Sequence, residues 1–315
     1  MNKQFLEDVN VGLDKMPKQI PSKYFYDKIG DELFMKIMQM PEYYLTRAEF
    51  DIFKNKTQQV IDLLQIEKNK YFDLIELGAG NGKKTKELLS ALNSDNFDFS
   101  YLPIDISQHA LNHLSQSLQK QIPDVNVIAK QGEYFEVLSA LKNNANQKVI
   151  LFLGSNIGNL SDKMATKFIY QLGENLKTDD KLFLGVDLIK ASEIVLPAYN
   201  DAAGITSAFN LNLLQRMNSE LQADFNLSNF KHVATYDEKK GVAKSYIESK
   251  YEQTVTIEAL NKTVDFTEGE RIHTEISRKY SDEIIQNIIA DTDFEIVGKL
   301  TDSKNYFADY ILNRK

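Results

Sequence analysis

Short apolar runs alternate with amphipathic runs through the middle of the chain. The run YFDLIELGAG (71–80) is apolar and ends in glycines, which predicts a buried strand followed by a turn. Four more strands are predicted in the same way, at residues 99–107, 125–132, 148–155 and 181–189. Amphipathic runs before and between the strands predict helices at residues 53–66, 83–92, 109–121, 136–142 and 161–177. This alternation predicts a parallel sheet with helices on both faces, because nearly continuous apolar strands are buried on both sides.

The two ends of the chain follow a different pattern. Residues 1–52 predict helices broken by a proline-containing loop at residues 17–21. Residues 191–278 form a mixed stretch, with a helical run at 206–224 and alternating segments around 243–265. The chain closes with FEIVGKLTDS and NYFADYILNRK, which predict two strands joined by a short turn.

These patterns together predict an α/β domain that is interrupted by a second module. We assign residues 53–190 plus 279–315 to a Rossmann-like, doubly wound domain. We assign residues 1–52 plus 191–278 to an α+β domain. A chain of 315 residues is long enough for either one large domain or two of ordinary size.

The composition and charge exclude several classes of function. With 43% hydrophobic and 26% charged residues the chain resembles ordinary globular proteins, and no apolar run approaches the roughly 20 residues of a membrane span. A net charge of −8 argues against a nucleic-acid partner. The chain has no cysteine, so disulfides and thiol chemistry are excluded. Its first residues contain acids and no apolar signal, so we expect a cytoplasmic protein. We also expect it to be a monomer without a membrane partner.

A glycine-rich segment, ELGAGNGKKT (76–85), lies at the first strand-to-helix turn. Glycines let the backbone approach a ligand closely, and a following helix would present free N–H groups to it. The spacing matches neither a P-loop nor a regular G-x-G-x-x-G sequence. Asp105 ends the second strand, where a carboxylate can accept hydrogen bonds from ribose hydroxyls. An acid before the glycines and another at the end of strand two is typical of S-adenosyl-L-methionine (SAM)-dependent methyltransferases; the alternative is a glycine turn in an unrelated α/β fold.

Other catalytic arrangements are poorly supported. The segment GSNIGN (154–159) lacks the serine position of a hydrolase nucleophile elbow. His109 and His113 have the i, i+4 spacing of metal ligands, but they lack an intervening HExxH glutamate and a third ligand nearby. We therefore expect no metal.

The whole chain resembles the histidine-specific α-N-methyltransferases of ergothioneine biosynthesis. The segments that carry the resemblance span nearly all of the chain in order: IPSKYFYDKIGDELFMKIMQMPEYYLTRAE (20–49), ELGAGNGKKT (76–85), PIDIS (103–107), FLGSNIGNL (152–160), LPAYNDAAGITSAFNLNLL (196–214) and TVDFTEGERIHTEIS (263–277). The resemblance implies a class I methyltransferase fold, a second substrate-binding domain, SAM as cofactor, and an amino acid as small-molecule substrate.

The resemblance also implies which residues bind the cofactor. Lys84 matches a position near the carboxylate end of SAM and Asp105 a position at the ribose. The adenine position falls in GEYFE (132–136), which is one residue longer than the family's usual pattern, so three neighbours remain candidates. The implied cofactor-binding residues are Glu76, Gly78, Gly80, Lys84, Asp105, Glu133, Tyr134 and Phe135.

The implied substrate residues lie mostly outside the predicted cofactor domain. Tyr43, Asn159 and Tyr199 match positions that hold the amino acid's carboxylate and amine, and Tyr26 matches a second tyrosine near the amine. Glu275 and Ser277 match the pair that contacts the imidazole. The implied catalytic residues are Tyr26, Tyr43 and Asn159, and the implied substrate-binding residues are Tyr43, Gly154, Asn159, Tyr199, Thr206, Ser245, Glu275 and Ser277.

The expected reaction is three successive methyl transfers to the α-amine of histidine, which yields the trimethylated betaine hercynine. One position departs from the family: Ser245 stands where a family member has an apolar methionine against the imidazole. A smaller, polar residue there leaves two alternatives open. The chain could methylate another amino acid, such as tryptophan or tyrosine, or it could be a non-catalytic sensor of the cofactor or of an amino acid.

Overall fold

The apolar runs in the middle of the chain form a mostly parallel sheet. A computed structural model describes residues 2–315. The helices are α1 (Lys3–Asp14), α2 (Lys28–Gln39), α3 (Leu45–Asn55), α4 (Thr57–Leu64), α5 (Thr85–Ser94), α6 (Gln108–Gln121), α7 (Tyr134–Leu141), α8 (Asp162–Gly173), α9 (Ser192–Val195), α10 (Ile205–Leu221) and α11 (Asp282–Ile289). Short 3₁₀ turns occupy Ser22–Phe25, Asn156–Asn159, Leu196–Tyr199, Leu227–Asn229 and Glu258–Leu260.

The strands fall into three sheets. They are β1 (Lys18–Gln19), β2 (Phe72–Leu77), β3 (Phe99–Asp105), β4 (Asn126–Val127), β5 (Lys130–Gln131), β6 (Gln147–Phe152), β7 (Lys181–Asp187), β8 (Phe230–Asp237), β9 (Val242–Ser249), β10 (Gln253–Ile257), β11 (Lys262–Phe266), β12 (Arg271–Arg278), β13 (Phe294–Thr301) and β14 (Phe307–Arg314).

The chain divides into two compact units. The smaller unit comprises the described residues up to Tyr44 together with Lys190–Arg278, and the larger unit comprises Leu45–Ile189 and Lys279–Lys315. The larger unit therefore begins before the domain boundary predicted at residue 53, because α3 packs against β14 of the same sheet.

The larger unit is built on a sheet with the order β13-β14-β7-β6-β2-β3-β4, and β5 also pairs with β3. The central strands are parallel, whereas β14 runs antiparallel to both β7 and β13. All six residues of β2 are buried, and successive residues enter different cores: Leu74 joins the core on one face and Ile75 the core on the other. This arrangement explains the continuous apolar runs of the sequence.

The smaller unit is an α+β structure with its own core. Its sheet has the order β1-β12-β9-β8, and β10 pairs separately with β11. Helix α10 packs against β8 and α2. The core contains Phe25, Phe209, Ile247 and Ile272. Helix α10 begins where the sequence predicts it, after Gly204 in a left-handed conformation, and the Asp201 carboxylate accepts hydrogen bonds from the first backbone N–H groups.

Several elements differ from the predicted ones for local reasons. The predicted strand at 125–132 is two short strands, β4 and β5, because the chain follows the sheet edge there only intermittently. The predicted helix at 53–66 is interrupted at Lys56, where α3 gives way to α4. The helix predicted from residue 83 begins at Thr85, since the Asn81 side chain still holds the Lys83 N–H in the turn. The strands β1, β8 and β12 and the helix α11 have no counterpart in the prediction.

Candidate functional site

The glycine-rich turn follows β2 in the larger unit. Gly78, Gly80 and Gly82 all have left-handed backbone conformations, with φ of 72°, 52° and 61°. A methyl group at Gly78 would lie 2.7 Å from Tyr134 Oη, whereas one at Gly80 would meet no atom within 4 Å. The turn is thus closed behind Gly78 and open beside Gly80, which leaves space for a ligand along its backbone.

Two predicted acidic residues lie at the ends of neighbouring parallel strands. Glu76 is buried near the end of β2 and accepts a hydrogen bond from the Tyr101 hydroxyl. Burial raises the pKa of Glu76 to about 7, although the Tyr101 hydrogen bond opposes this shift. Asp105 ends β3, is only partly buried, and accepts a hydrogen bond from the Ser107 N–H at 2.9 Å. Asp105 is therefore the more accessible of the two carboxyl groups.

The three adenine-site candidates occupy different surroundings at the start of α7. Glu133 is exposed and precedes the helix. Tyr134 extends its hydroxyl to Gly78, and burial raises its pKa to about 12, with the Asp105 charge acting in the same direction. Phe135 packs edge-to-face on Phe168, with ring centroids 5.2 Å apart. The structure thus places the Tyr134 hydroxyl at the glycine turn and packs the partly buried Phe135 against the hydrophobic core.

Lys84 lies next to a carboxylate that the sequence analysis did not assign. Its Nζ contacts Oε2 of Glu49, a fully buried residue of α3. The same carboxylate accepts the Gly154 N–H, at 2.8 Å from Oε1 and 3.0 Å from Oε2. Gly154 follows β6, so α3, the glycine turn and the β6 turn converge on one buried ion pair.

Asn159 and Asn156 both lie in the 3₁₀ turn that follows β6. Asn159, a predicted substrate and catalytic residue, is exposed at the end of this turn. The sequence analysis did not select Asn156, whose Nδ2 lies 3.7 Å from the position of a methyl group on Gly78 and 3.8 Å from one on Gly154. Only membership of the matching segment FLGSNIGNL could have singled out Asn156 in the sequence.

The imidazole-site candidates lie on two paired strands of the smaller unit. Glu275 of β12 is the direct cross-strand partner of Ser245 of β9, and Ser245 Oγ donates to Glu275 Oε2 at 3.1 Å. Ser277 lies on the same face of β12 as Glu275, since side chains alternate along a strand. Its Oγ is 2.7 Å from Tyr199 Oη, and both groups are buried. The structure therefore brings four predicted residues together.

Two further predicted tyrosines belong to an aromatic cluster of the same unit. The Phe34 ring lies between them, with centroids 5.5 Å from Tyr26 and 6.3 Å from Tyr43. Phe209 of α10 supports the cluster at 5.7 Å from Tyr26. Tyr26 keeps 43% of its surface exposed, and reduced hydration of its hydroxyl, followed by the negative charge of Glu275, raises its pKa above the ordinary value. The Tyr26 hydroxyl therefore stays protonated at neutral pH and can donate a hydrogen bond.

Thr206 and Tyr44 have structural contacts in the smaller unit. Thr206 is buried in the first turn of α10, where its N–H donates to Asp201 at 2.7 Å. Tyr44 is buried beside Lys190, whose Nζ lies 3.0 Å from the Tyr44 hydroxyl and 4.6 Å from its ring centroid. The contact with Lys190 gives the second tyrosine of the adjacent pair a packing role.

Metal-ligand clusters and membrane-spanning helices are absent from the part of the chain that the structure describes. Between residues 2 and 315, no group of three or more histidine, aspartate or glutamate side chains is arranged to hold a metal ion. Over the same residues, no helix is both long and apolar enough to cross a membrane.

The larger unit has the groups that a nucleotide with a zwitterionic end requires. Gly80 leaves open space, Asp105 provides a carboxylate for hydroxyl groups, and Lys84 provides a cation beside the Gly154 N–H. The parallel sheet with its antiparallel β13–β14 edge and this turn define the fold of SAM-dependent methyltransferases. The solved structure of the mitomycin 7-O-methyltransferase MmcR is similar in fold, with a TM-score of 0.50 and 10% identity over 93% of this chain and 59% of that one.

The chain belongs to the family of histidine-specific, SAM-dependent methyltransferases, whose family model matches residues 5–314. It is 35% identical over 284 residues to the histidine N-alpha-methyltransferase of Mycolicibacterium smegmatis, and the matched region covers 90% of this chain and 86% of that relative. It is also 30% identical over 304 residues to ergothioneine biosynthesis protein 1 of Schizosaccharomyces pombe, and the matched region covers 94% of this chain and 39% of that protein. The predicted fold class, the methyltransferase activity toward an amino acid and the cofactor SAM are thereby confirmed.

Proposed function

We propose that the chain transfers methyl groups from SAM to the α-amine of L-histidine, in three successive steps that yield hercynine. The observation that supports histidine most directly is the arrangement of Glu275. Its carboxylate is half-buried, held by Ser245, and on the same strand face as the Tyr199–Ser277 pair. An imidazole N–H can donate a hydrogen bond to such a carboxylate, and a substrate side chain without a donor would forgo this contact.

The hydroxyl groups of the smaller unit suit the rest of the amino acid. We assign Tyr43 and Tyr199 to its carboxylate and amine, since phenols donate hydrogen bonds without adding charge. Tyr26 acts as a donor or as a neutral orienting group, because its raised pKa keeps the hydroxyl protonated. Asn159 and Gly154 of the larger unit and Thr206 of the smaller unit remain predicted substrate residues.

The residues of the larger unit would hold the methyl donor. Asp105 accepts hydrogen bonds from the ribose hydroxyls, and Lys84 pairs with the carboxylate of SAM. The turn at Gly78 and Gly80 lets the cofactor approach the backbone closely. When bound, SAM supplies an electrophilic methyl group on a sulfonium. The amine must lose its ammonium proton and approach that carbon in line, at roughly 3 Å. No protein nucleophile is required.

The decisive experiment offers the chain all twenty amino acids with SAM and measures the products by mass spectrometry. We expect histidine to gain the mass of one, two and three methyl groups, and the other amino acids to gain none. Product from another amino acid but not from histidine would establish the alternative specificity. Binding of SAM without any product would favour the sensor.

Ser245 has a role that is compatible with histidine as substrate. The sequence alone suggested that a small residue at this position widens the pocket. In the structure Ser245 is fully buried and its hydroxyl is directed to Glu275. Ser245 therefore holds the proposed imidazole acceptor in place; tryptophan and tyrosine also carry a donor, so the panel of amino acids distinguishes them from histidine.

We further propose that the chain acts as a cytoplasmic monomer on a small molecule, without nucleic acid or membrane as a partner. The net charge of −8 and the absence of a basic surplus support the lack of a nucleic-acid partner. Light scattering of the purified protein measures the oligomeric state, and a dimer mass would contradict a monomer.

A further inference from the structure

Glu49 is a buried charge for which the proposed reaction provides no role. It is 0% exposed, yet it comes from an amphipathic helix, α3, and not from a sheet end or a ligand loop. Its two carboxylate oxygens contact the Lys84 Nζ and the Gly154 N–H. A carboxylate removed from water to this degree must be paired and hydrogen-bonded, and Glu49 meets both conditions.

The backbone opposite Glu49 is shaped to admit it. A methyl group at Gly185 of β7 would lie 2.2 Å from Glu49 Oε1 and 3.0 Å from Asp309 Oδ1. Asp309 lies on β14 as the direct cross-strand partner of Gly185. The carboxyl groups of Glu49 and Asp309 therefore lie beside Gly185, which has no side chain, and Lys84 is a cation near both of them.

Only one of the two carboxyl groups has partners for its charge. Neither oxygen of the fully buried Asp309 has a hydrogen-bond partner. Burial, with the Glu49 charge next in importance, raises the pKa of Asp309 well above its ordinary range. The raised pKa and the lack of hydrogen-bond partners favour the neutral form of Asp309, whereas the Glu49 carboxylate pairs with Lys84.

We propose that Glu49 is a positioning residue for the cofactor: its carboxylate, itself held by the Gly154 N–H, fixes the Lys84 ammonium where that ammonium receives the amino-acid end of SAM. This inference rests on the proposed role of Lys84. A lysine side chain is flexible and has three donors, so one contact to Glu49 restrains it while two donors remain for a ligand carboxylate. Restraint before binding raises affinity, because less conformational entropy is lost on binding.

The test uses Glu49→Gln, which keeps the shape and an acceptor for Gly154 but removes the charge. Isothermal titration calorimetry measures binding of S-adenosylhomocysteine, which has the amino-acid end, and of 5′-methylthioadenosine, which lacks it. We expect Glu49→Gln to weaken S-adenosylhomocysteine binding by about tenfold, as for a lost charge-assisted contact. Binding of 5′-methylthioadenosine should change by less than about twofold.

The matched control is Asp309→Asn, which also replaces a buried carboxyl with an amide beside the same lysine. A neutral carboxyl and an amide are close in shape and charge, so neither ligand should lose affinity. If Glu49→Gln weakens both ligands equally, or neither, the inference is wrong. An Asp309→Asn variant that shows the same selective loss would also overturn the assignment of charge to Glu49.

A second variant keeps the test decisive if the glutamine variant does not fold. Glu49→Asp retains the charge but withdraws it by one methylene group, and we expect the same selective loss. Thermal unfolding of each variant without ligand reports whether it is folded. No amino acid substrate is present in these titrations, so their outcome is separate from the choice of histidine. If the wild-type chain binds both ligands equally well, Lys84 does not serve the amino-acid end and the inference fails.

Discussion

The two units of this methyltransferase hold their candidate residues in different ways. In the larger unit the positions depend on the backbone: left-handed glycines form the turn, and an ion pair between the fully buried Glu49 and the partly buried Lys84 joins it to α3. In the smaller unit they depend on side chains, with hydroxyl groups and one half-buried carboxylate, Glu275, on paired strands and beside an aromatic cluster. Backbone geometry tolerates few substitutions, whereas a side-chain pocket can change its ligand through a single residue.

This difference separates what each unit contributes. A turn that requires glycine suits a cofactor that is the same in every turnover. A pocket lined by exchangeable hydroxyl groups suits the part of the enzyme that distinguishes one amino acid from another. Substitutions at the glycine turn of the larger unit should therefore affect cofactor binding and fold, and substitutions in the hydroxyl-lined pocket of the smaller unit should affect substrate choice.

The largest expected effect is that of Glu275→Ala on substrate choice. Removing the acceptor for the imidazole should lower kcat/KM for histidine by about a hundredfold, which corresponds to about 2.7 kcal/mol. Steady-state kinetics with histidine measures this loss, and calorimetry with S-adenosylhomocysteine serves as the control. Loss of cofactor affinity in this variant would contradict the division between the units.

A pair of glycine substitutions tests the backbone side of the comparison. Gly82 and Gly80 both have left-handed backbone conformations, so alanine would strain the backbone at either position. Only at Gly82 would the added methyl group meet another side chain, since it would lie 2.4 Å from Leu114 Cδ1. Leu114 is buried, so Gly82→Ala should reduce the free energy of unfolding by about 1–2 kcal/mol more than Gly80→Ala. Denaturant titration measures both. Equal losses would mean that Leu114 moves aside without cost.

The glycine turn and strand ends of the larger unit were easier to predict from the sequence than the side-chain pocket of the smaller unit. Apolar runs and glycines at residues 71–80 identify a strand and its turn locally, and Asp105 follows from the end of the next strand. Glu49 could not be found in this way, because an acidic residue on an amphipathic helix normally faces water. Its burial depends on Gly185, which is far from it in sequence.

The side-chain pocket was accessible only through the family resemblance. Strands β8 and β12 were not predicted, because their positions do not alternate regularly between buried and exposed. The register between β9 and β12 also shifts between His273 and Glu275. A one-residue shift changes which side chains share a face, so the Ser245–Glu275 contact cannot be derived from residue spacing.

Ser245→Ala tests whether this contact holds the imidazole acceptor. We expect kcat/KM for histidine to fall by about tenfold, since a hydrogen bond to a charged group is lost. In a double-mutant cycle the loss should largely disappear when Glu275 is already alanine, because the hydroxyl then has no carboxylate to hold. Additive effects of the two substitutions would mean that Ser245 acts on the substrate independently.

The smallest expected effects are those of the adjacent residues Tyr43 and Tyr44 on KM for histidine. Tyr43→Phe should raise KM for histidine by about fivefold, because a half-buried donor to the amino acid is removed. Tyr44→Phe removes the 3.0 Å contact with Lys190 but leaves the ring under its ammonium, so KM should change by less than about twofold. Kinetics of both variants at saturating SAM provides the measurement. A larger effect from Tyr44 would transfer the proposed substrate role to it, and would show that a side chain engaged in packing can also contact the amino acid.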